Sequence, residues 1–164
     1  MATLQEDIIK QSDWIIKAFE ADGYKLDYSI HSFIEIDRFL EKNLINGKPK
    51  RGGRLAKNFG AILFSISSYI AQTFIKNIPN SNIVTDDSDV NGEINFSVEL
   101  SNGIICFPAQ RVMKRVRQGL EDSIYPYGYE IAKDFINESF DDSFWEIGKN
   151  QELDEDLKPW WKIW

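Results

Sequence analysis

Glu93-Ile94-Asn95-Phe96-Ser97-Val98-Glu99-Leu100-Ser101-Asn102-Gly103-Ile104-Ile105-Cys106-Phe107 is the stretch that decides the fold class of this chain. Polar and apolar residues alternate from Glu93 to Leu100, and a period of two over eight residues marks a half-buried strand. Asn102-Gly103 supplies the residue pair best suited to a tight hairpin turn, so residues 103–107 pair back as a second strand. Pro108 ends that strand and stands where a helix can begin, carrying Val112, Met113, Val116 and Leu120 as its apolar side. A hairpin set among helical segments predicts one α+β domain, with helices packed on a small antiparallel sheet.

Working upstream, Ile8, Ile9, Trp14, Ile15, Ile16 and Phe19 fall at helical spacing over residues 3–21. Thr3 and Glu6 form a capping box, and Gly23 stops the helix. A short extended piece, residues 24–28, leads to a second helix capped by Asp27 or Ser29, with Ile30, Phe33, Ile34, Ile36, Phe39 and Leu40 as its stripe. Residues 46–53 read as a basic, turn-rich loop. A third helix follows to about Lys76, apolar nearly all round. Its segment 58–75 approaches the ~20 residues of a membrane span. Asn58, Ser65, Ser67, Ser68, Gln72 and Thr73 interrupt it, which makes it a core helix instead. Residues 80–91 read as polar turns. Residues 130–140 predict a further helix, and 141–164 an acidic, Trp-rich tail.

Composition narrows the function. The 164 residues fit a single domain, and 43% hydrophobic with 27% charged residues describes a globular chain. A net charge of −7 disfavours general nucleic-acid binding and suits a basic protein partner. The one cysteine cannot form an internal disulfide, and the polar, acidic start lacks a secretory pattern. Together these predict a cytoplasmic protein.

The supply of catalytic groups is nearly empty. His31 and Cys106 are the only members of their types. A thiolate–imidazole pair can be drawn from them, but Cys106 sits in an apolar strand where cysteine packs as a small hydrophobe. Asp86, Asp87, Asp89, Asn91 and Glu93 have the composition of a calcium loop without the order one requires. No metal or cofactor is therefore expected, and no catalytic residue. The cations gather in two clusters, Lys48, Lys50, Arg51, Arg54 and Lys57, and Arg111, Lys114, Arg115 and Arg117. Positions 111, 114 and 115 share one helical face. Arg51, Arg54, Arg111, Lys114 and Arg115 are the candidate anion-binding set, with offsetting of internal acids as the plainer role. Trp160, Trp161 and Trp164, preceded by Asp154, Glu155 and Asp156, are the candidate partner-binding residues. Their rings either complete the core or form an interface.

Phe107-Pro108-Ala109-Gln110-Arg111-Val112-Met113-Lys114-Arg115, continued by Gly119-Leu120-Glu121-Asp122-Ser123, resembles a family of small uncharacterised bacterial proteins. Gly103-Ile104-Ile105, Gly60-Ala61 and the Trp-rich ending share the likeness. The resemblance implies a fold and no reaction. Where such proteins often carry Tyr-Ile-Gly-Glu, this chain reads Tyr69-Ile70-Ala71-Gln72, and Gln72 cannot act as an acid, base or anionic ligand. The expected function is protein binding, as an immunity-type inhibitor that neutralises a bacterial toxin. The alternative is an enzyme or sensor that holds an anionic small molecule through its arginines.

Overall fold

Helix α1 (Leu4–Ala21) begins at its capping box: Thr3 Oγ1 accepts from Glu6 N while Glu6 accepts from Thr3 N. The computed structural model describes residues 2–149. Ser29 caps a 3-10 turn, Ile30–Ser32, that runs straight into α2 (Phe33–Asn43). The segment 46–53 is more ordered than a loop. Leu44–Ile45 (β1) and Lys48–Pro49 (β2) pair antiparallel across Asn46 and Gly47, both at positive φ (52° and 76°). That is the geometry Asn-Gly favours at a hairpin tip.

Helix α3 (Phe59–Asn77) packs along α1 and supplies Ile66, Tyr69, Ile70 and Phe74 to the core. Its polar residues are quieted by the helix itself. Ser65, Ser67, Ser68 and Thr73 each donate to the carbonyl four residues back, at 2.7–3.0 Å. Among the described residues it alone has the length and composition to cross a membrane, and half of that window is buried inside the domain. Tyr69 ties it to the preceding elements: its hydroxyl accepts from Tyr28 N at 2.8 Å and bonds Ser32 Oγ at 2.6 Å. Burial raises that phenol to about 12.

Three short strands form the second sheet, β3 (Asn82–Val84), β4 (Ser97–Glu99) and β5 (Ile105–Cys106), antiparallel in that order. The hairpin stands where Asn102-Gly103 places it, with Gly103 at φ 89° and Leu100 N donating to Ile104 O at 2.9 Å. Two expectations are corrected. The strand begins later than Glu93, because Gly92–Asn95 is a single helical turn (α4) whose Gly92 carbonyl accepts from Phe96 N. The alternation still puts Phe96, Val98 and Leu100 in the core, while Ile94 is exposed. The polar stretch 80–91 contributes β3, whose bonds come from pairing with β4.

Pro108 opens α5 (Pro108–Gln118), which a 3-10 turn, Gly119–Asp122, extends. Helix α6 spans Ile124–Ala132, so the expected helix at 130–140 lies earlier in the chain. Its start is fixed by α2. Asp37, fully buried, accepts Ile124 N at 3.0 Å and Tyr125 N at 2.8 Å, the free donors of the first turn. Arg115 of α5 donates Nε to the same carboxylate at 2.9 Å and a second nitrogen to Glu41 at 2.9 Å. Burial pushes the Asp37 carboxyl up, and Arg115 with the two backbone N–H groups pulls it back. Gly128 lets α6 meet α2 closely, since a Cβ there would lie 2.4 Å from Phe33 Cδ2. Helices and sheets together make one α+β domain, as the hairpin among helices predicts.

Candidate interaction site

Residues 86–93 fold into a hydrogen-bonded knot. Asp86 Oδ1 accepts Ser88 N at 2.9 Å and Ser88 Oγ at 2.6 Å, while Asp89 accepts Asn91 N at 2.8 Å and Asn95 Nδ2 at 3.0 Å. These Asx bonds replace regular structure, which is why an acid-rich stretch holds a defined shape. Asp87 reaches across to accept Leu4 N at 2.8 Å, so a carboxylate sits at the positive end of α1. Gln5 Nε2 donates to Ile83 O at 2.8 Å and secures the same junction from the other side. Gly92 permits the closure: a Cβ there would lie 3.0 Å from Asp86 O and 3.1 Å from Leu4 Cδ2.

The product is an open concavity of about 430 Å³ whose charged lining is Asp7, Asp86, Asp87, Asp89 and Glu93, with no cation. The Asp7 and Glu93 carboxylates make no hydrogen bond or ion pair among the described residues. Ser88 bonds lower the Asp86 carboxyl below its ordinary value and keep it ionised. On the rim stands Val90, 97% exposed, where an apolar side chain gains nothing from the fold. Five carboxylates around an exposed valine can attract a basic surface and offer it one apolar anchor. The oxygens that suggested a calcium loop are partly committed to backbone N–H groups. No His, Cys, Asp or Glu cluster with metal-binding geometry occurs among the described residues.

The sequence-derived candidates fall elsewhere. Trp160, Trp161, Trp164, Asp154, Glu155 and Asp156 lie outside the described residues. Within the anion-binding set, Arg115 is 1% exposed and paired to Asp37 and Glu41. Arg111 bonds Asp122 at 3.3 Å with its guanidinium over the Tyr127 ring, and Lys114 approaches Asp122 at 3.5 Å. Arg54 pairs with Asp22. Arg51 is exposed and forms no ion pair among the described residues. The structure thus turns Arg115 inward and away from Lys114, although both sit on the face the helical spacing gives them.

His31 and Cys106 belong to separate clusters. His31 Nε2 bonds Asp141 Oδ2 at 2.7 Å, and its ring meets Tyr125 edge-on. Asp141 is held down to about 2 by Ser143 and His31. Cys106 packs beside Tyr127, and burial pushes its thiol up. The acidic knot was visible in the sequence as clustered oxygens, but its partnership with the start of α1 was not, since 83 residues separate Leu4 from Asp87. Trp145, exposed beside Phe140 and Phe144, was likewise not singled out. Comparison with protein-family models, with curated proteins and with solved structures finds no match for this chain.

Proposed function

We propose that this protein is a binding protein of the immunity type, which neutralises a basic toxin domain by docking it on the acidic concavity between α1 and residues 86–93. The observation that carries this reading is the convergence of Asp7, Asp86, Asp87, Asp89 and Glu93 around exposed Val90. A chain of net charge −7 steers a cationic partner toward it, and a fixed cluster of carboxylates orients that partner on arrival. Val90 gives the contact a desolvated centre inside a charged rim, the usual layout of an interface hot spot. The bacterial cytoplasm is the setting we propose, in keeping with the family resemblance around Arg111–Arg115. No reaction is part of the proposal. An anionic small-molecule site draws less support, because Arg54, Arg111, Lys114 and Arg115 already face carboxylates.

Co-expression with the toxin candidate encoded beside its own gene tests the reading. The wild-type chain restores growth, and Asp7→Lys/Glu93→Lys, which changes only carboxylates that make no hydrogen bond or ion pair among the described residues, abolishes rescue while the protein stays folded. Asp86, Asp87 and Asp89 are spared because their hydrogen bonds hold the knot and cap α1. Wild-type binding to the toxin also slows as salt rises. Full rescue by the double variant overturns the acidic docking site, and no rescue by the wild type overturns the immunity role.

A further inference from the structure

The two edges of the three-stranded sheet are treated differently. At the β3 edge the chain posts a guard, since Ile83 O accepts Gln5 Nε2 of α1 at 2.8 Å. Strand β5 has no such guard among the described residues. Its register sets Cys106 opposite Val98 and Ile105 opposite Glu99, and Ile104 O accepts Leu100 N at 2.9 Å. Residues of an antiparallel strand alternate between bonding their neighbour and facing away from it. Ile104 bonds the hairpin partner, so the N–H and C=O of Ile105, one residue on, point out of the sheet edge. The side chains around them are apolar and open to solvent. Ile105 is 52% exposed, and Ile104 and Phe107 are exposed with it. Sheets commonly blunt such an edge with charge, proline or a bulge, and residues 104–107 carry neither charge nor proline.

We propose that β5 pairs antiparallel with β5 of a second copy about a two-fold axis at Ile105, joining two three-stranded sheets into one of six. Charge selects this occupant. The chain's net charge of −7 sets copies against one another, but residues 100–110 contain no charged side chain and form a neutral window. Glu99 is the one charged residue within β3, β4 and β5. Across the axis the two copies of Glu99 stand three strand spacings apart, about 14 Å, which exceeds the Debye length of ~8 Å. A basic partner finds no carboxylate row here and is drawn to the acidic concavity instead. The backbone completes the match, because each Ile105 N–H meets the Ile105 C=O of the other copy. With the β3 edge guarded, this sheet has one open edge per copy and growth stops at the dimer. The contact is small and belongs to the weak class of interfaces. It uses no residue of the acidic concavity, so this pairing and toxin docking fail separately.

Sedimentation equilibrium and amide NMR on the full-length chain test the pairing. The weight-average mass rises from one chain of 19.0 kDa toward two as concentration climbs from about 10 μM to about 1 mM. Over that range the Ile105 amide proton moves downfield as it gains an acceptor, while the core amides stay in place. Ile105→Lys and Ile105→Glu each remain monomeric at the highest concentration, because like charges then meet at the axis. An equimolar mixture of the two variants associates again, which only pairing of this position with itself produces. The wild-type amide shift needs no substitution, so the test stands even if a variant misfolds. A monomer at about 1 mM, association indifferent to both variants, a mixture that stays monomeric, or an Ile105 amide that ignores concentration each overturns the proposal.

Discussion

Asp37 and Asp87 make the same bond in opposite surroundings. Each accepts backbone N–H from the first turn of a helix that it does not belong to, Asp37 at α6 and Asp87 at α1. Asp37 is fully buried, and its remaining acceptor capacity goes to Arg115, itself closed off from water. Asp87 is exposed among other acids that lack cations. In low dielectric every partner must be present or the group is costly, so the Asp37 cluster locks α2, α5 and α6 into one arrangement. At the surface water substitutes for any lost partner, so the Asp87 region can exchange contacts and receive a visitor.

The sharpest way to break that comparison is to remove Asp37. Asp37→Ala leaves two buried N–H groups unpaired and the buried guanidinium with Glu41 as its one remaining carboxylate, and urea unfolding should lose about 3–5 kcal/mol. Asp37→Ala/Arg115→Met should recover part of that loss by removing the buried charge that has lost one of its two carboxylates. Next in size is the docking of α6 against α2. Gly128→Ala forces a methyl into Phe33 and should cost about 1–3 kcal/mol, again by urea unfolding. Asp87→Ala should cost under about 1 kcal/mol by the same measurement, because water replaces the lost acceptor of Leu4 N. A loss as large as that of Asp37→Ala would erase the distinction between the two sites.

The smallest effect belongs to Asp141, where pH supplies the test. Its folded pKa lies below its unfolded value, so the bonds from Ser143 and His31 add stability above the unfolded pKa. That stability is lost as pH falls through about 2. Asp141→Asn should therefore be less stable than the wild type at neutral pH and match it in strong acid. In the wild type, an NMR titration of the Asp141 carboxyl should reach its midpoint near 2, and His31→Ala should move it upward.

Local signals were legible in the sequence and distant ones were not. The capping box at Thr3 and the turn at Asn102-Gly103 are written within four residues each, and both stand where the sequence puts them. The start of α6 is set by Asp37, 87 residues before Ile124, so no window around Ile124 contains its cap. Strand β3 escaped for the same reason, since its edge bonds are made by β4. Helical spacing placed Arg111, Lys114 and Arg115 on one face but not which edge of that face turns inward. A clue was present: Arg115 lies next to Val112 and Val116, the apolar stripe of α5. The acidic knot showed its oxygens and hid its shape, because the Asp87 bond that ties it to α1 joins residues 83 apart.

Cys106, the chain's sole thiol, is 2% exposed on β5, the strand at the sheet margin. Only the thiolate alkylates, and burial keeps the thiol protonated, so labelling must wait for the margin to part from β4. The chain thus contains a single-channel stopwatch. Counting mass increments with an alkylating reagent records how often this margin breathes, separately from how often the whole molecule unfolds.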